Sequence, residues 1–164
     1  MAQYDREEFE AKVRSGENLE NADLSNLDLR NAKLKGANLS KAKLTSVRLS
    51  GADLRESNLR KADMAWSNLD RANLENADLT ETILYDSSLQ EADLSNANLT
   101  GVDLGEANLT GANLTGANLS NAELSQTNLT DANLSGANVS GANLDQASMT
   151  KSAVDLRGAT RPDG

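Results

Sequence analysis

The chain has 164 residues and a formal net charge of −9, and it contains neither histidine nor cysteine. This composition removes the usual general base, the commonest metal ligand, the thiol nucleophile and any disulfide framework. The acidic balance also argues against general nucleic-acid binding, which needs clustered Lys and Arg.

Residues 1–16 predict a short helix that closes one end of the molecule. Asp5 and Glu8 have the spacing of a helix-capping pair, and Gly16 is a natural stop. Phe9 and Val13 lie one turn apart on one side. We therefore expect an amphipathic helix over residues 5–15, with Phe9 covering the segment that follows. The alternative is a helix that binds a partner.

Residues 17–156 repeat with a period of five. From Leu19 to Val154 there are 28 central positions without an insertion, and 24 of them are Leu. Ala stands two residues before the centre in 18 units, and Asn or Asp stands one residue before it in 20. The consensus is A-[DN]-L-x-x. The four centres that are not Leu are Met64, Val139, Met149 and Val154.

A period of five fits neither a helix nor a flat strand. In an extended segment the Ala and Leu of one unit share a face, but the next Ala comes three residues later and points inward only if the chain turns a corner. The pattern predicts closed coils that are stacked about 4.8 Å apart, with the Leu column on the axis. Gly recurs two residues after the centre, as at Gly36 and Gly111, where we expect unusual corner dihedrals.

The consensus of residues 17–156 resembles that of the pentapeptide-repeat family, which is especially numerous in cyanobacteria. The resemblance implies an all-β solenoid, namely a right-handed quadrilateral β-helix with four units per coil and about seven coils for 28 units. The charges alone do not choose the coil size. Within residues 17–155, residues 20 apart and residues 15 apart each give eight opposite-charge and four like-charge pairs, so square and triangular coils both stay open.

Residues 157–164 form a C-terminal tail, and little apolar surface is available to cover the last coil. Leu156 is the only large apolar residue after Val154. An open stack exposes its axis and its strand edges. Either this end folds as an irregular cap, or two copies form a homodimer through it.

Charge is segregated along the chain. Residues 30–71 hold ten Lys or Arg against four acids, whereas residues 72–150 hold eleven Asp or Glu and no base. Such segregation indicates either surfaces for partners or a solvated exterior that keeps the stack soluble.

The clearest break in the consensus lies at residues 81–89. If the coils are 20 residues long, Ile83 and Tyr85 lie on the same wall as Met64 and Trp66 of the preceding coil. These four residues form the candidate protein-contact patch, because exposed aromatic and apolar clusters mark binding sites. Drift at tolerant exterior positions is the alternative.

The sequence therefore favours a non-enzymatic structural or protein-interaction module with an unidentified protein partner. Ser and Thr are abundant but have no His to activate them, and we expect no cofactor and no metal. No signal peptide or membrane span is evident, which predicts a cytoplasmic protein. The alternative is a DNA mimic, because some family members protect DNA gyrase from quinolones. Two features argue against a DNA mimic: none of the 28 central positions is Phe, and residues 30–71 are rich in Lys and Arg.

Overall fold

The computed structural model describes residues 5–144. Within this range the helix α1 spans Arg6–Arg14, and Asp5 caps it by accepting a hydrogen bond from the Glu8 N–H at 2.9 Å. Phe9 is fully buried in the hydrophobic core, and Val13 packs against that core. The helix therefore contributes one large side chain to the interior at the start of the repeats.

Parallel β-bridges join residues 20 apart along the repeats, from Asp23 with Lys43 to Glu123 with Asn143. Each coil therefore contains four pentapeptide units, which resolves the choice that the charges left open. The bridges are single residues rather than continuous strands, because each unit turns a corner before a strand can extend. Residues 17–144 form a little over six of the seven predicted coils.

Several sequence predictions concern positions outside the described residues. They are the two last centres, the tail and the homodimer contact at the C-terminal end: Met149, Val154, Leu156 and residues 157–164.

The four units of a coil form four sides, which we call walls 1 to 4. They begin at residues 17, 22, 27 and 32, and each wall recurs every 20 residues. The Ala positions and the centres fill the interior. The N–H of each Ala position bonds the centre three residues earlier, as Ala22 N does to Leu19 O at 3.1 Å, and so closes a turn.

The corner residue, two positions after the centre, has a positive φ at all 25 corners from Asn21 to Gly141. The predicted unusual dihedrals are thus present, but 18 of these corners are not glycine. Trp66, with a φ of 57°, and Lys61, with a φ of 56°, are examples of such corners without glycine. Left-handed backbone costs an ordinary residue about 1–2 kcal/mol, so the hydrogen bonds to neighbouring coils must hold these corners in place.

In most units, Asn or Asp before the centre completes the hydrogen bonding of the backbone. Of the five backbone N–H groups, three bond neighbouring coils, as Leu54 N does to Asn73 O at 2.7 Å, and one closes the turn. The fifth belongs to the residue after the centre and bonds the Asn or Asp side chain, as Arg55 N does to Asp53 Oδ1 at 3.3 Å. The side chain supplies the one acceptor that the backbone ladder lacks.

Where Thr replaces Ala, its buried hydroxyl is also hydrogen-bonded inside the rod. Thr82, one of the departures from the consensus, is fully buried, and its Oγ1 donates to the Leu59 carbonyl at 2.8 Å. Thr127 makes the same bond to the Leu104 carbonyl at 2.8 Å. This departure is therefore a feature of the core and not of the surface.

We call the residue directly before the centre the ladder position. Replacing Asn73 by Ala tests the role of the side chain at this position. Asn73 Oδ1 accepts a hydrogen bond from Glu75 N at 3.0 Å, and its loss is expected to lower the free energy of unfolding by about 1 kcal/mol. Lys33 occupies the same position of wall 4 and cannot accept, so Lys33→Ala is the matched control, with an expected change below about 0.5 kcal/mol. Urea unfolding followed by circular dichroism measures both. Equal losses would contradict this role.

Candidate protein-contact site

Trp66 and Ile83 are the large apolar residues that the described part of the chain exposes, with 58% and 41% of their surfaces accessible. Tyr85 is half-buried. Met64, which the sequence analysis also assigned to the patch, is fully buried in the core. That assignment is wrong because Met64 is itself a centre of the five-residue period and points to the axis. From here on, the aromatic patch means Trp66, Ile83 and Tyr85.

The aromatic patch lies on wall 2, across two consecutive coils. Ile83 bridges Asp63 in the coil before it, and Trp66 N donates to the Tyr85 carbonyl at 3.0 Å. Trp66 is the corner residue of its unit. The 20-residue coil therefore makes neighbours of residues that lie almost a full coil apart in sequence.

Tyr85 lies over Gly105 of the next coil. A Cβ at Gly105 would be 3.2 Å from Cδ2 of the Tyr85 ring, so the glycine leaves the space that the ring occupies. The Tyr85 hydroxyl donates to Glu106 Oε1. This hydrogen bond raises the pKa of Tyr85, and desolvation and the charges of Glu106, Asp86 and Asp103 raise it further, because each disfavours the phenolate.

Two residues of the aromatic patch weaken the local backbone. Ile83 stands at the ladder position, where its aliphatic side chain cannot accept the hydrogen bond that Asn or Asp would take from Tyr85 N. Trp66 has a positive φ, which is an unfavourable backbone conformation for a residue with a bulky side chain. Positions that break a local rule at a cost in stability are where functional selection is expected.

Carboxylates border the aromatic patch. Asp63 and Asp103 flank Ile83 along the ladder, and Asp86 and Glu106 occupy the next two corners after Trp66 on the same wall. These carboxylates lie outside the patch that the sequence predicts. A step of 20 residues from Trp66 leads to Asp86 and then to Glu106, so the signal was present once the coil size was known.

A groove of about 410 Å³ lies on wall 3 around Gly51. Its arginines are already paired: Arg30 with Asp28 at 2.6 Å and Arg71 with Glu91 at 2.8 Å. In residues 5–144, no group of three or more His, Cys, Asp or Glu side chains is arranged to hold a metal ion. No helix in that range is long and apolar enough to cross a bilayer.

Comparison with known proteins gives one family and several structural likenesses. The family model described as pentapeptide repeats matches in 8 copies, over residues 18–51, 48–86, 87–126, 112–150 and 122–160. HetL, a pentapeptide repeat protein involved in heterocyst differentiation regulation in the cyanobacterium Nostoc sp. strain PCC 7120, has a TM-score of 0.81 and 30% identity, over 96% of this chain and 80% of its own. No curated protein sequence matches significantly.

Two further solved structures are similar over most of their length. A pentapeptide repeat protein from the Arabidopsis thaliana thylakoid lumen has a TM-score of 0.45 and 28% identity, over 84% of this chain and 74% of its own. QnrB1, a plasmid-mediated fluoroquinolone resistance protein, has a TM-score of 0.47 and 19% identity, over 87% of this chain and 83% of its own.

Glu106→Gln is expected to lower the pKa of Tyr85 toward its ordinary value. The carboxylate accepts the phenol proton and its charge opposes the phenolate, whereas the amide keeps the size of the side chain without its charge. Ultraviolet titration of tyrosinate measures this in a Tyr4→Phe background, where Tyr85 is the only tyrosine. Glu56→Gln, a corner of wall 4, is the control. Superimposable titrations for the parent and Glu106→Gln would overturn the assignment.

Proposed function

The chain belongs to the pentapeptide-repeat family, and from that premise we propose that it is a non-enzymatic rod that binds a partner protein through the aromatic patch. From the family we also infer that the coils follow a right-handed quadrilateral β-helix. In such a rod the Ala and Leu positions are taken up by packing. Contact with a partner is left to the outer side chains of the walls.

The observation that carries the proposal is the exposure of Trp66 and Ile83 on the same wall of two consecutive coils. Trp and Tyr are the residues that most often dominate binding energy at protein interfaces. Exposed apolar side chains that lie on one face, with a polar border, are typical of contact sites. A wall held by hydrogen bonds on both sides presents them in a fixed arrangement, which lowers the entropic cost of binding.

The packed interior supports a non-enzymatic role. Catalytic sites are usually concave pockets in which several polar groups converge. Here the central column fills the axis of the rod, and both arginines that line the groove on wall 3 are paired with carboxylates. Binding at an outer wall needs no pocket.

The likeness to HetL supports a regulatory role for this binding. HetL is described as involved in the regulation of heterocyst differentiation, and it shares 30% identity and a TM-score of 0.81 with this chain. We propose that this protein likewise regulates a process by occupying a surface of its partner. A cytosolic location is part of the same proposal.

Trp66→Ala is expected to abolish capture of the partner from an extract of the source organism. Truncation of a central aromatic anchor costs roughly 2 kcal/mol or more, or about 30-fold in affinity. Tyr85→Ala is expected to weaken capture as well. The measurement is quantitative mass spectrometry of the proteins retained on each immobilised variant.

Glu56→Ala is the matched control for this experiment. Glu56 is an exposed corner residue of wall 4, with a φ of 58° against 57° for Trp66, so it changes the same backbone position on another side of the rod. It is expected to retain the partner. Equal recovery by wild type, Trp66→Ala and Tyr85→Ala would discard the aromatic patch as the docking surface.

Residues 72–150, the acidic half, favour a DNA mimic as a second candidate function, because a row of carboxylates can stand in for phosphates. Three of these carboxylates are paired with bases of the preceding coil, which interrupts such a row: Asp78 with Arg60, Glu81 with Lys61 and Glu91 with Arg71. The mimic is therefore the weaker candidate.

DNA gyrase is expected to supercoil plasmid DNA at an unchanged rate in a large molar excess of the protein. The paired carboxylates present an interrupted negative surface, and the bases of residues 30–71 repel a cationic DNA-binding groove. Gel-resolved supercoiling, with and without a quinolone, provides the measurement. Inhibition or protection that an unrelated protein of equal net charge does not reproduce would favour the mimic instead.

A further inference from the structure

The net charge of the rod is concentrated on one of its four sides, wall 2. Within residues 17–144, six carboxylates against one lysine give wall 2 a net charge of −5. Four carboxylates against three bases give each of the other walls −1. The segregation along the sequence is thus also a segregation around the rod, and the aromatic patch lies on the acidic wall.

Ion pairing increases this difference between the walls. Ten salt bridges join the described residues; two lie in or beside α1, and the other eight lie on walls 1, 3 and 4. None of the ten includes the five wall 2 carboxylates nearest the aromatic patch, which are Asp63, Asp86, Asp103, Glu106 and Glu123. Asp63 has Lys43 at the bridged position of the preceding coil, whereas Asp86, Asp103, Glu106 and Glu123 have no salt-bridge partner within residues 5–144.

Neutral donors hold several of these carboxylates in place without cancelling their charge. Asp103 Oδ1 accepts from Gly105 N at 3.0 Å, and Glu123 Oε1 accepts from Ser125 N at 2.9 Å. The hydrogen bonds from Ser125 and Asn143 lower the pKa of Glu123, because they favour the ionised form. Wall 2 therefore presents fixed negative charges at neutral pH.

Each exposed apolar residue has carboxylates within one coil of it. Ile83 lies between Asp63 and Asp103 on the ladder, where successive backbones are about 4.8 Å apart. Asp86 occupies the equivalent corner of wall 2 in the coil after that of Trp66. A ligand that covers both apolar side chains must therefore also cover unpaired carboxylates, and burying these without a counter-charge would be costly.

We propose that the partner covers the aromatic patch with a basic segment, in which an apolar side chain is flanked by Lys or Arg. This inference rests on the proposed function and names the chemistry of the partner. The apolar side chain contacts Trp66 and Ile83, while the cations pair with Asp63, Asp86 and Asp103. A cation can also lie over the face of the Trp66 ring. Nucleic acid and anionic membranes are repelled by the same wall.

Fluorescence anisotropy with the full chain and three labelled synthetic peptides tests this proposal. The first peptide alternates Lys and Leu, the second alternates Lys and Ser, and the third alternates Glu and Leu. The Lys–Leu peptide is expected to bind at least about tenfold more tightly than the other two, because it alone supplies both contacts. Its affinity is expected to fall as salt is added.

Two double variants with equal charge changes separate a local site from a general effect of net charge. Asp86→Asn with Asp103→Asn is expected to weaken binding of the Lys–Leu peptide about fivefold. Asp131→Asn with Asp93→Asn changes one corner and one ladder residue on walls 3 and 4, and is expected to weaken it less than about twofold. Each substitution retains an amide oxygen that can accept the local hydrogen bonds.

The possible outcomes distinguish this inference from the proposed function. Equal weakening by both double variants, or equal affinity for the Lys–Leu and Glu–Leu peptides, overturns the inference. The proposed function stands if Trp66→Ala still loses the native partner in the capture experiment. If Trp66→Ala captures the native partner as well as wild type does, the proposed function is wrong, regardless of the affinities measured for the peptides.

Discussion

The stacking of each coil on the one 20 residues later is the constraint on which the rest of the structure depends. Every central side chain must lie against its equivalents while its own backbone bonds the next coil, as Leu54 N bonds Asn73 O. An added residue in one unit would shift the following inward side chains outward and break the ladder. This explains why the period continues without an insertion through the described coils, from Leu19 to Leu144.

This constraint leaves few positions free to vary. The Ala position and the centre are fixed by packing, and the ladder position is fixed by the hydrogen bond that Asn or Asp accepts. The residue after the centre and the corner remain, and most of the charged residues of the rod stand there or at the ladder. Functional information is therefore carried by the outer side chains and by departures from the consensus.

The sequence predicts the inward column well because packing imposes a strict period on it. It predicts α1 because Asp5, Glu8 and Gly16 are local signals. The charge pattern does not predict the coil size, because pairing is equally good at separations of 15 and 20; the family resemblance implied four units per coil, and the β-bridges between residues 20 apart agree with it. The acidic border of the aromatic patch was missed, although the 20-residue step that places Ile83 and Tyr85 on the wall of Trp66 also leads from Trp66 to Asp86 and Glu106. Met64 was misassigned although the period itself places it inside.

Ile83 is the departure that the fold explains least. Lys33, Lys43 and Arg48 also stand at ladder positions without an acceptor, but each bridges an Asp on an adjacent coil. Opposite charges at bridged positions offset part of the lost hydrogen bond.

Ile83 lies between Asp63 and Asp103 and gains no such compensation from residues 5–144. A partner that buries its exposed surface would supply it, at about 25 cal/mol per Å² of apolar area removed from water. The same partner must bring cations to the two carboxylates beside it. The local cost of Ile83 and the unpaired charge of wall 2 are thus both relieved by a single ligand that is at once apolar and basic.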